Sequence, residues 1–489
     1  MVHVRQIHVG RGTQPNSKFY HVNDGWHYNK NCIKKGVIYL KCVRYERGCP
    51  GRALYDRRRG FIHTKRHDHP RNRLYVPYMR LRRNILQRCR RLEFVSFRQI
   101  IVEESRGFPL RVQALLRMSH IRSSMQRVRY RRFPPVPASL EELTRILQNP
   151  LYAVMTATHD AEDSLYAASV TARDGSHSVL FMTRRMANVA RSMHTLFADG
   201  TFKSLPSIEG LNRASQVFAL VGNWNHTIIP LGWAVMQRRT TPAYESVLRI
   251  LRLILRNAPN LRRIITDFEP GMRRAWSNIF PDVHLQGCFF HFVRALISYA
   301  KEELNMALLL RREPYSELMK SYCSLALLPR RFIRRGYNLL VQETRQHGGR
   351  VYGRMRPFLA YLLRSWVAHP VKRPWMCVYG SIHRTNNTCE SHNKMLGNFA
   401  CVPHPNTYNF ISALASMEEN ALADVEALEL GEQPNRRRKL KSIILDRRLR
   451  NLAETLNNPP GNLDQAILRY IHAASHTFDT AYRNAVEGN

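Results

Sequence analysis

The spacing of apolar residues along the 489-residue chain changes character twice. From about Gly12 to Pro70 it consists of short alternating runs broken by turn residues, and Val37-Ile-Tyr-Leu-Lys-Cys42 predicts a small antiparallel strand. From about Arg71 to Arg132 the pattern turns helical, as in Arg80-Leu-Arg-Arg-Asn-Ile-Leu-Gln-Arg-Cys89, and the Pro-rich segment Phe133 to Pro137 closes it as a hinge. Beyond Ser139 strands and helices alternate. Thr195 to Phe202, Gln216 to Asn223 and Thr227 to Met236 predict three consecutive strands. A helix from about Thr241 to Arg256 carries Val247, Leu248, Leu251 and Leu255 on one face. Arg263-Ile-Ile-Thr-Asp267 predicts a buried strand ending in a carboxylate, followed by a short helix after Pro270 and a strand from Val283 to Cys288.

Three strands, then helix, strand, helix, strand, is the order of a ribonuclease-H-like sheet, so the expected fold class is α/β with a mixed sheet of that kind. Residues from Phe290 to Leu363 are mostly helical in pattern and too numerous for a loop, which predicts a helical insertion at about 290–380. The last eighty-odd residues also read as helical and contain the basic run Arg436 to Lys441. The expected domains are a small β-rich module at 12–70, a basic helical linker at 71–138, a catalytic domain at 139–400 and a C-terminal helical region at 401–489. No internal repeat is visible.

Charge narrows the partner. Lys and Arg number 76 against 36 Asp and Glu, a net charge of +40, which is more than solubility requires and points to a polyanion. Between Met1 and Leu140 stand 32 Lys/Arg and 7 Asp/Glu, so an excess of 25 lies in less than a third of the chain. An anionic membrane is the competing partner, but no run approaches the roughly 20 apolar residues of a span, and no apolar segment after Met1-Val-His-Val-Arg suggests a leader. Nucleic acid is the expected partner. Nine thinly spread cysteines suggest a reducing compartment, with clustered ones serving metal.

Phosphodiester cleavage at neutral pH calls for divalent ions held about 4 Å apart to clamp the attacking and leaving oxygens. Hard Mg²⁺ takes carboxylate oxygens. Asp199 on the first predicted strand, Asp267 at the end of the fourth and Glu390 at the start of a helical pattern are candidates, spaced by 68 and 123 residues. Singly each has a plainer reading: Asp199 before Gly200 as a turn residue, Asp267 as a helix cap, Glu390 on a solvated helix face.

Context changes this. Phe197-Ala-Asp199-Gly-Thr-Phe202, Thr266-Asp267-Phe-Glu269, Gly287-Cys288-Phe-Phe-His291-Phe292 and Arg384-Thr-Asn-Asn-Thr-Cys-Glu390-Ser-His392 occur in that order. The series resembles the Mutator-like (MULE) transposase domain over roughly Leu196 to Phe399. The resemblance implies a DDE enzyme in which Asp199, Asp267 and Glu390 bind Mg²⁺ or Mn²⁺ and drive hydrolysis followed by strand transfer. Cys288 and His291 are a hallmark pair of related transposases; from the residues alone they read as a structural pair, since no second ligand pair is spaced near them. Glu269 reads as a structural or supporting group. Trp366, Trp375 and Tyr361 read as core of the insertion, with stacking on a distorted base as the sharper alternative.

In the N-terminal module, Cys42 and Cys49 are followed by His67 and His69. Four such ligands in under thirty residues satisfy a tetrahedral Zn²⁺, and a segment this poor in apolar residues needs a metal staple. By spacing alone His63 can replace one of the histidines. The order Tyr39-Leu-Lys-Cys42, six residues, Cys49-Pro-Gly-Arg-Ala, then His67-Asp-His69, resembles the FLYWCH-type zinc finger, with Leu40 where that family carries a tryptophan. The resemblance implies DNA binding; Arg44, Arg47, Arg52, Arg57, Arg58 and Arg59 are candidates for phosphate contact.

The expected function is therefore a nuclear DNA transposase. Finger and linker recognise terminal inverted repeats, the triad cleaves and joins transposon and target DNA, and two ends handled together imply a homo-oligomeric synaptic complex. Two rivals share the fold: a domesticated DNA-binding regulator that no longer transposes, and a nuclease acting on RNA–DNA hybrids.

Overall fold

A computed structural model describes residues 7–13, 16–91, 95–158, 160–224, 227–256, 258–400, 402–432, 440–457 and 461–487. The basic run at 436–439 lies outside the described residues. The chain divides into two compact units, Met1–Pro135 and Val136–Asn489.

The first unit begins with a six-stranded antiparallel meander: β1 His8–Arg11, β2 Lys18–His21, β3 Tyr28–Lys34, β4 Val37–Cys42, β5 Arg52–Asp56 and β6 Gly60–Lys65. Sheet pairing thus starts before Gly12. Each strand is short, and the buried cluster beneath the sheet is small, formed by Tyr28, Leu40, Ala53 and Phe61 with partly buried side chains around it. Four such side chains are a small core for a sheet of this size. The helices Tyr75–Arg88, Phe97–Ser105 and Met118–Tyr130 have a core of their own, in which Leu81, Ile85, Ile100, Val112, Ile121 and Met125 are almost completely buried. The segment that reads as a basic linker is a packed helical bundle, and one of its arginines, Arg129, packs over Phe97 and donates to the Val95 carbonyl at 2.6 Å.

The second unit is built on a seven-stranded sheet. Its strands are β7 Tyr166–Thr171, β8 His177–Phe181, β9 Thr195–Thr201, β10 Gln216–Trp224, β11 Thr227–Met236, β12 Arg263–Thr266 and β13 His284–Gly287, in the order β13-β12-β9-β10-β11-β8-β7. β9, β10 and β11 run antiparallel to one another, whereas β12 lies parallel to β9 and β13 parallel to β12. Alternation sorts the side chains onto two faces. Leu196, Ala198 and Ile264 join the core beneath the helices Arg184–Arg191, Thr241–Ile254, Pro270–Ile279 and Thr407–Glu429. Phe197 and Ile265 face the other way, against Cys389 of the helix Asn387–Ala400. Asp199, two residues after Phe197, shares that second face.

Residues 289–378 and the C-terminal segment from 440 form a large helical body with a core of its own. Helices within 289–376 supply part of it; the C-terminal helices Leu440–Asn457, Leu463–Ser475 and Asp479–Glu487 supply the rest, through Leu449, Ile467, Ile471 and Tyr482 among others. Trp366 is 3 % exposed and packs edge-on to Phe268 and Phe292, both at 4.9 Å. It is core, as is most of the aromatic cluster around it. No described helix is long and apolar enough to cross a membrane.

Because Ile471 is fully buried in the shared core, Ile471→Ala is expected to cost about 2–5 kcal/mol of stability, visible as a lowered midpoint of thermal unfolding. An unchanged midpoint would mean that the C-terminal helices are not part of the cooperative unit.

Candidate active site and metal centre

β9 and β12 are neighbours in parallel register, with Ile265 beside Phe197. Continuing that register by two residues sets Asp267 level with Asp199. Asp199 is 8 % exposed, and its Oδ2 accepts a hydrogen bond from Asn393 Nδ2 at 3.0 Å. Gly200 beside it has a steric reason: a Cβ there would lie 2.1 Å from Gln216 Oε1 on β10.

Asp267 is held from its backbone. The guanidinium of Arg273, fully buried, donates to the carbonyl of Asp267 at 2.9 Å, to Thr266 Oγ1 at 2.8 Å and to the carbonyl of Leu285 at 3.0 Å. It lies 4.1 Å from the centre of the Trp375 ring. These bonds lock together the ends of β12 and β13. Asp267 Oδ1 accepts from the amide of Glu269 at 3.1 Å, a local turn of the kind Asp side chains form with the backbone two residues on. The N-cap of the following helix is Glu269, without a side-chain cap bond, so Asp267 is not the cap. Glu269 itself turns to Tyr244, whose hydroxyl lies 3.1 Å from each of its oxygens. Gln216 Nε2 donates to the same hydroxyl at 2.5 Å.

Glu390 lies in the first turn of the helix Asn387–Ala400. Three contacts seat this helix on the sheet. Asn386 Nδ2 donates to the carbonyl of Ala198 at 3.1 Å, the Asn386 amide donates to Cys288 Sγ at 3.1 Å, and Cys389 is fully buried against Phe197, Val221 and Ile265. Just upstream, Arg384 pairs with the buried Asp446 of a C-terminal helix, and its carbonyl accepts from the Phe289 amide at 2.8 Å. The Arg-Thr-Asn-Asn segment is thus a set of fastenings, and Glu390 is what they aim. Its side chain stays 43 % exposed, with Oε1 3.6 Å from His291 Nε2, a charge contact longer than a hydrogen bond.

Cys288 and His291 have separate contacts. Burial pushes the Cys288 thiol up to about 12, so it is a neutral acceptor for Asn386 rather than a thiolate. His291, one turn on, meets Glu390. Electrostatically the three carboxylates sense one another: burial first, then the charges of Asp267 and Glu390, raise the Asp199 carboxyl to about 8. A divalent cation among them would reverse that shift by supplying the missing positive charge. Their oxygens do not close into a set as compact as the one in the first unit, which is the tight ligand group found among the described residues.

That group is Cys42, Cys49, His67 and His69, whose ligand atoms all lie within 4.8 Å of one another. Cys42 ends β4, Cys49 follows a single turn, and both histidines follow β6. Cys42 Sγ is 3.2 Å from His69 Nε2, and Cys49 Sγ is 3.5 Å from His67 Nδ1. The amides of Arg44 and Gly51 donate to the two sulfurs at 3.3 and 3.4 Å. A Cβ on Gly51 would stand 2.5 Å from the His67 ring, so close ring approach requires glycine. Two thiols and two imidazoles around one point are the tetrahedral donor set of a structural Zn²⁺.

His63, interchangeable with the others by spacing, sits behind the group. Its Nε2 is 2.8 Å from Asp24 Oδ2 and its Nδ1 is 2.6 Å from the Tyr28 hydroxyl, which is 2.7 Å from His67 Nε2. One assignment of protons satisfies the whole chain: His67 Nε2–H donates to Tyr28, Tyr28 O–H to His63 Nδ1, and His63 Nε2–H to Asp24. That leaves His67 Nδ1 as a lone pair facing the two sulfurs, the outer-shell arrangement that orients a metal-binding imidazole. Trp26 stacks on the same ring at 4.0 Å and 4°. Burial lowers His67 to about 4 and raises Cys42 to about 11, so the imidazole is ready as a neutral ligand while the thiol must release a proton to bind metal.

Sequence reasoning missed Asn386 and Asn393 as fastenings, Arg273 as the clamp on β12, and Asp24 and Tyr28 as the support for His67. Asn386 falls in a recognisable motif and Asn393 stands three residues after Glu390, one helical turn; the others carry no local signal.

Residues 195–295 match the MULE transposase domain. The span covers about a fifth of the chain, from β9 through the helix after β13, and includes Asp199, Asp267, Cys288 and His291; Glu390 lies beyond it. No curated protein matches the sequence. Among solved structures, a Drosophila P element transposase strand transfer complex is similar at 11% identity with a TM-score of 0.22, over 61% of this chain and 82% of that one.

Two measurements test this geometry. His67→Ala should abolish stoichiometric zinc binding, whereas His63→Ala should keep one zinc but weaken it about 10–100-fold, as read by chelator competition; the reverse order would disprove the ligand assignment. In metal-free protein, Asp199 is protonated when folded and titrates near 4 when unfolded. Its contribution to stability is present in full below about pH 4 and is lost as pH rises through about 8. Thermal midpoints should therefore fall between pH 5 and 8 more steeply in the wild type than in Asp199→Asn, and parallel curves would refute the shift.

Proposed function

We propose that this protein is a DNA transposase in which Asp199, Asp267 and Glu390 form a DDE site for Mg²⁺ or Mn²⁺. The single observation that carries the reading is the parallel pairing of β9 with β12, whose register runs toward Asp199 on β9 and Asp267 just past the end of β12, together with the effect of the Asp267 charge on Asp199. The strand order β11-β10-β9-β12-β13, three antiparallel and the last two parallel, supports a ribonuclease-H-like sheet beneath that site. The MULE transposase match over 195–295 supports DNA as the substrate.

The donor set suits the ion. Three carboxylates, of which Asp199 is held above its ordinary range by burial and by the charges of the other two, together with a neutral amide from Asn393, offer an anionic oxygen site suited to a hard divalent cation. When bound, the cations would polarise the scissile phosphate and clamp the attacking and leaving oxygens. The protein's task is then positional: Asn393 fixes Asp199, Arg273 fixes the backbone of Asp267, and the Asn386 and Cys389 contacts aim Glu390. In the first step water attacks phosphorus and releases a 3′-hydroxyl; in the second that hydroxyl attacks a target phosphodiester and releases a new one. The first unit would serve as a FLYWCH-type zinc finger plus helical bundle that binds terminal inverted repeats. Action on two ends at once implies a homo-oligomer, working in the nucleus.

One observation favours the regulator reading. Glu390 is partly exposed and turned to His291, an arrangement compatible with a site that binds DNA without cutting. Cleavage decides. Full-length protein should cut duplex DNA bearing the inverted repeats that flank its coding sequence when Mn²⁺ is added. Asp267→Asn and Glu390→Gln should each reduce cutting to background while DNA binding persists. End-specific binding with no metal-dependent cleavage, the same in wild type and Asp267→Asn, would leave the regulator; preferential cutting of RNA–DNA hybrids would replace both.

A further inference from the structure

The first unit contains a groove of about 630 Å³ between the β1–β2 hairpin and the C-terminal end of the helix Tyr75–Arg88. The hairpin is closed by the Gly12 amide donating to the Ser17 carbonyl at 2.8 Å, with Arg11 and Lys18 paired across it. Those two side chains form one wall. Arg83 and Arg90 form the other, seven residues apart and so two turns along the same face. Among the described residues that line it, none is a carboxylate. Arg88, on a different face of the same helix, shows the usual fate of such a side chain, pairing with Glu103 at 3.4 Å and Glu104 at 3.7 Å.

The plain explanation for arginines near a helix end is that they complement the negative end of the helix dipole. It accounts for Arg90 at the helix terminus. It does not account for Arg11 and Lys18, which come from a hairpin and face the same space. Four like charges around one groove repel, and their self-energy is relieved by an anion that reaches all four. Asn16, Thr13 and Gln87 line the same groove and add neutral hydrogen-bonding groups suited to phosphate oxygens.

We propose that this groove, walled by Arg11, Lys18, Arg83 and Arg90, seats the phosphodiester backbone of double-stranded DNA. The assignment rests on the reading of the protein as a DNA transposase and gives the first unit a phosphate-binding surface apart from the arginines of the β5–β6 turn. Contacts of this kind set register and orientation; they do not read bases.

The test uses full-length, zinc-loaded protein and a fluorescent duplex, with anisotropy titrations between about 50 and 200 mM salt. Arg83→Gln/Arg90→Gln should weaken binding to terminal-repeat and scrambled duplexes alike, and flatten the slope of log K against log salt by about 1 per arginine removed. Arg11→Gln/Lys18→Gln, on the opposite wall, should do the same and answers independently if the helix variant loses zinc or helical signal. Wild-type affinity and slope in both double variants would overturn the groove while leaving DNA binding intact. A loss confined to the terminal-repeat duplex would also overturn it, because it would signal base readout. Failure of the wild type to bind any duplex would instead bring down the transposase reading.

Discussion

Three carboxylates gathered at one place on a sheet repel one another, and one of them is nearly buried, so the second unit has to hold together a site that electrostatics alone would open. Asp199 bears most of this strain, since burial and two neighbouring negative charges all disfavour its ionised form. The structure answers with rigidity. Arg273 ties the ends of β12 and β13, the Asn386 amide bonds bind the Glu390 helix to β9, and Cys389 is packed beneath it. Even the C-terminal region takes part, because Asp446 anchors Arg384 at the start of the same segment.

The first unit faces a different shortage. Its sheet has short strands over a small buried apolar cluster of Tyr28, Leu40, Ala53 and Phe61, little to hold six strands by burial alone. The Cys42, Cys49, His67, His69 group stands where a larger core would be, and the chain from His67 through Tyr28 and His63 to Asp24 fixes the imidazole before any ion arrives. Tyr28 serves both needs, as the largest side chain in the small core and as the link in that chain. The neighbouring helices, with an apolar core of their own, let arginines crowd the surface without weakening the fold.

Much was legible in the sequence because the relevant signals are local. Strand and helix periods placed β9 to β13 within a few residues, and the Cys and His spacing marked a ligand group that the fold does gather. Asp199, Asp267 and Glu390 were individually ambiguous, and their order within four motifs was what singled them out. Spacing alone left His63 open as a ligand.

What remained belonged to the tertiary structure. Which histidines face the sulfurs depends on the successive registers from β3 through β4 and β5 to β6, and on Tyr28 bridging His63 and His67. Whether the last eighty residues form a tail or a core depends on which apolar faces meet, and Ile467, Ile471 and Tyr482 turn inward onto helices more than a hundred residues earlier. The distance from Glu390 to the aspartates, and its contact with His291, depends on a helix seated by bonds to Ala198 and Cys288. Composition and period report on neighbours along the chain; hydrogen bonds and charge coupling between residues nearly two hundred positions apart exist only once the sheet has brought them together.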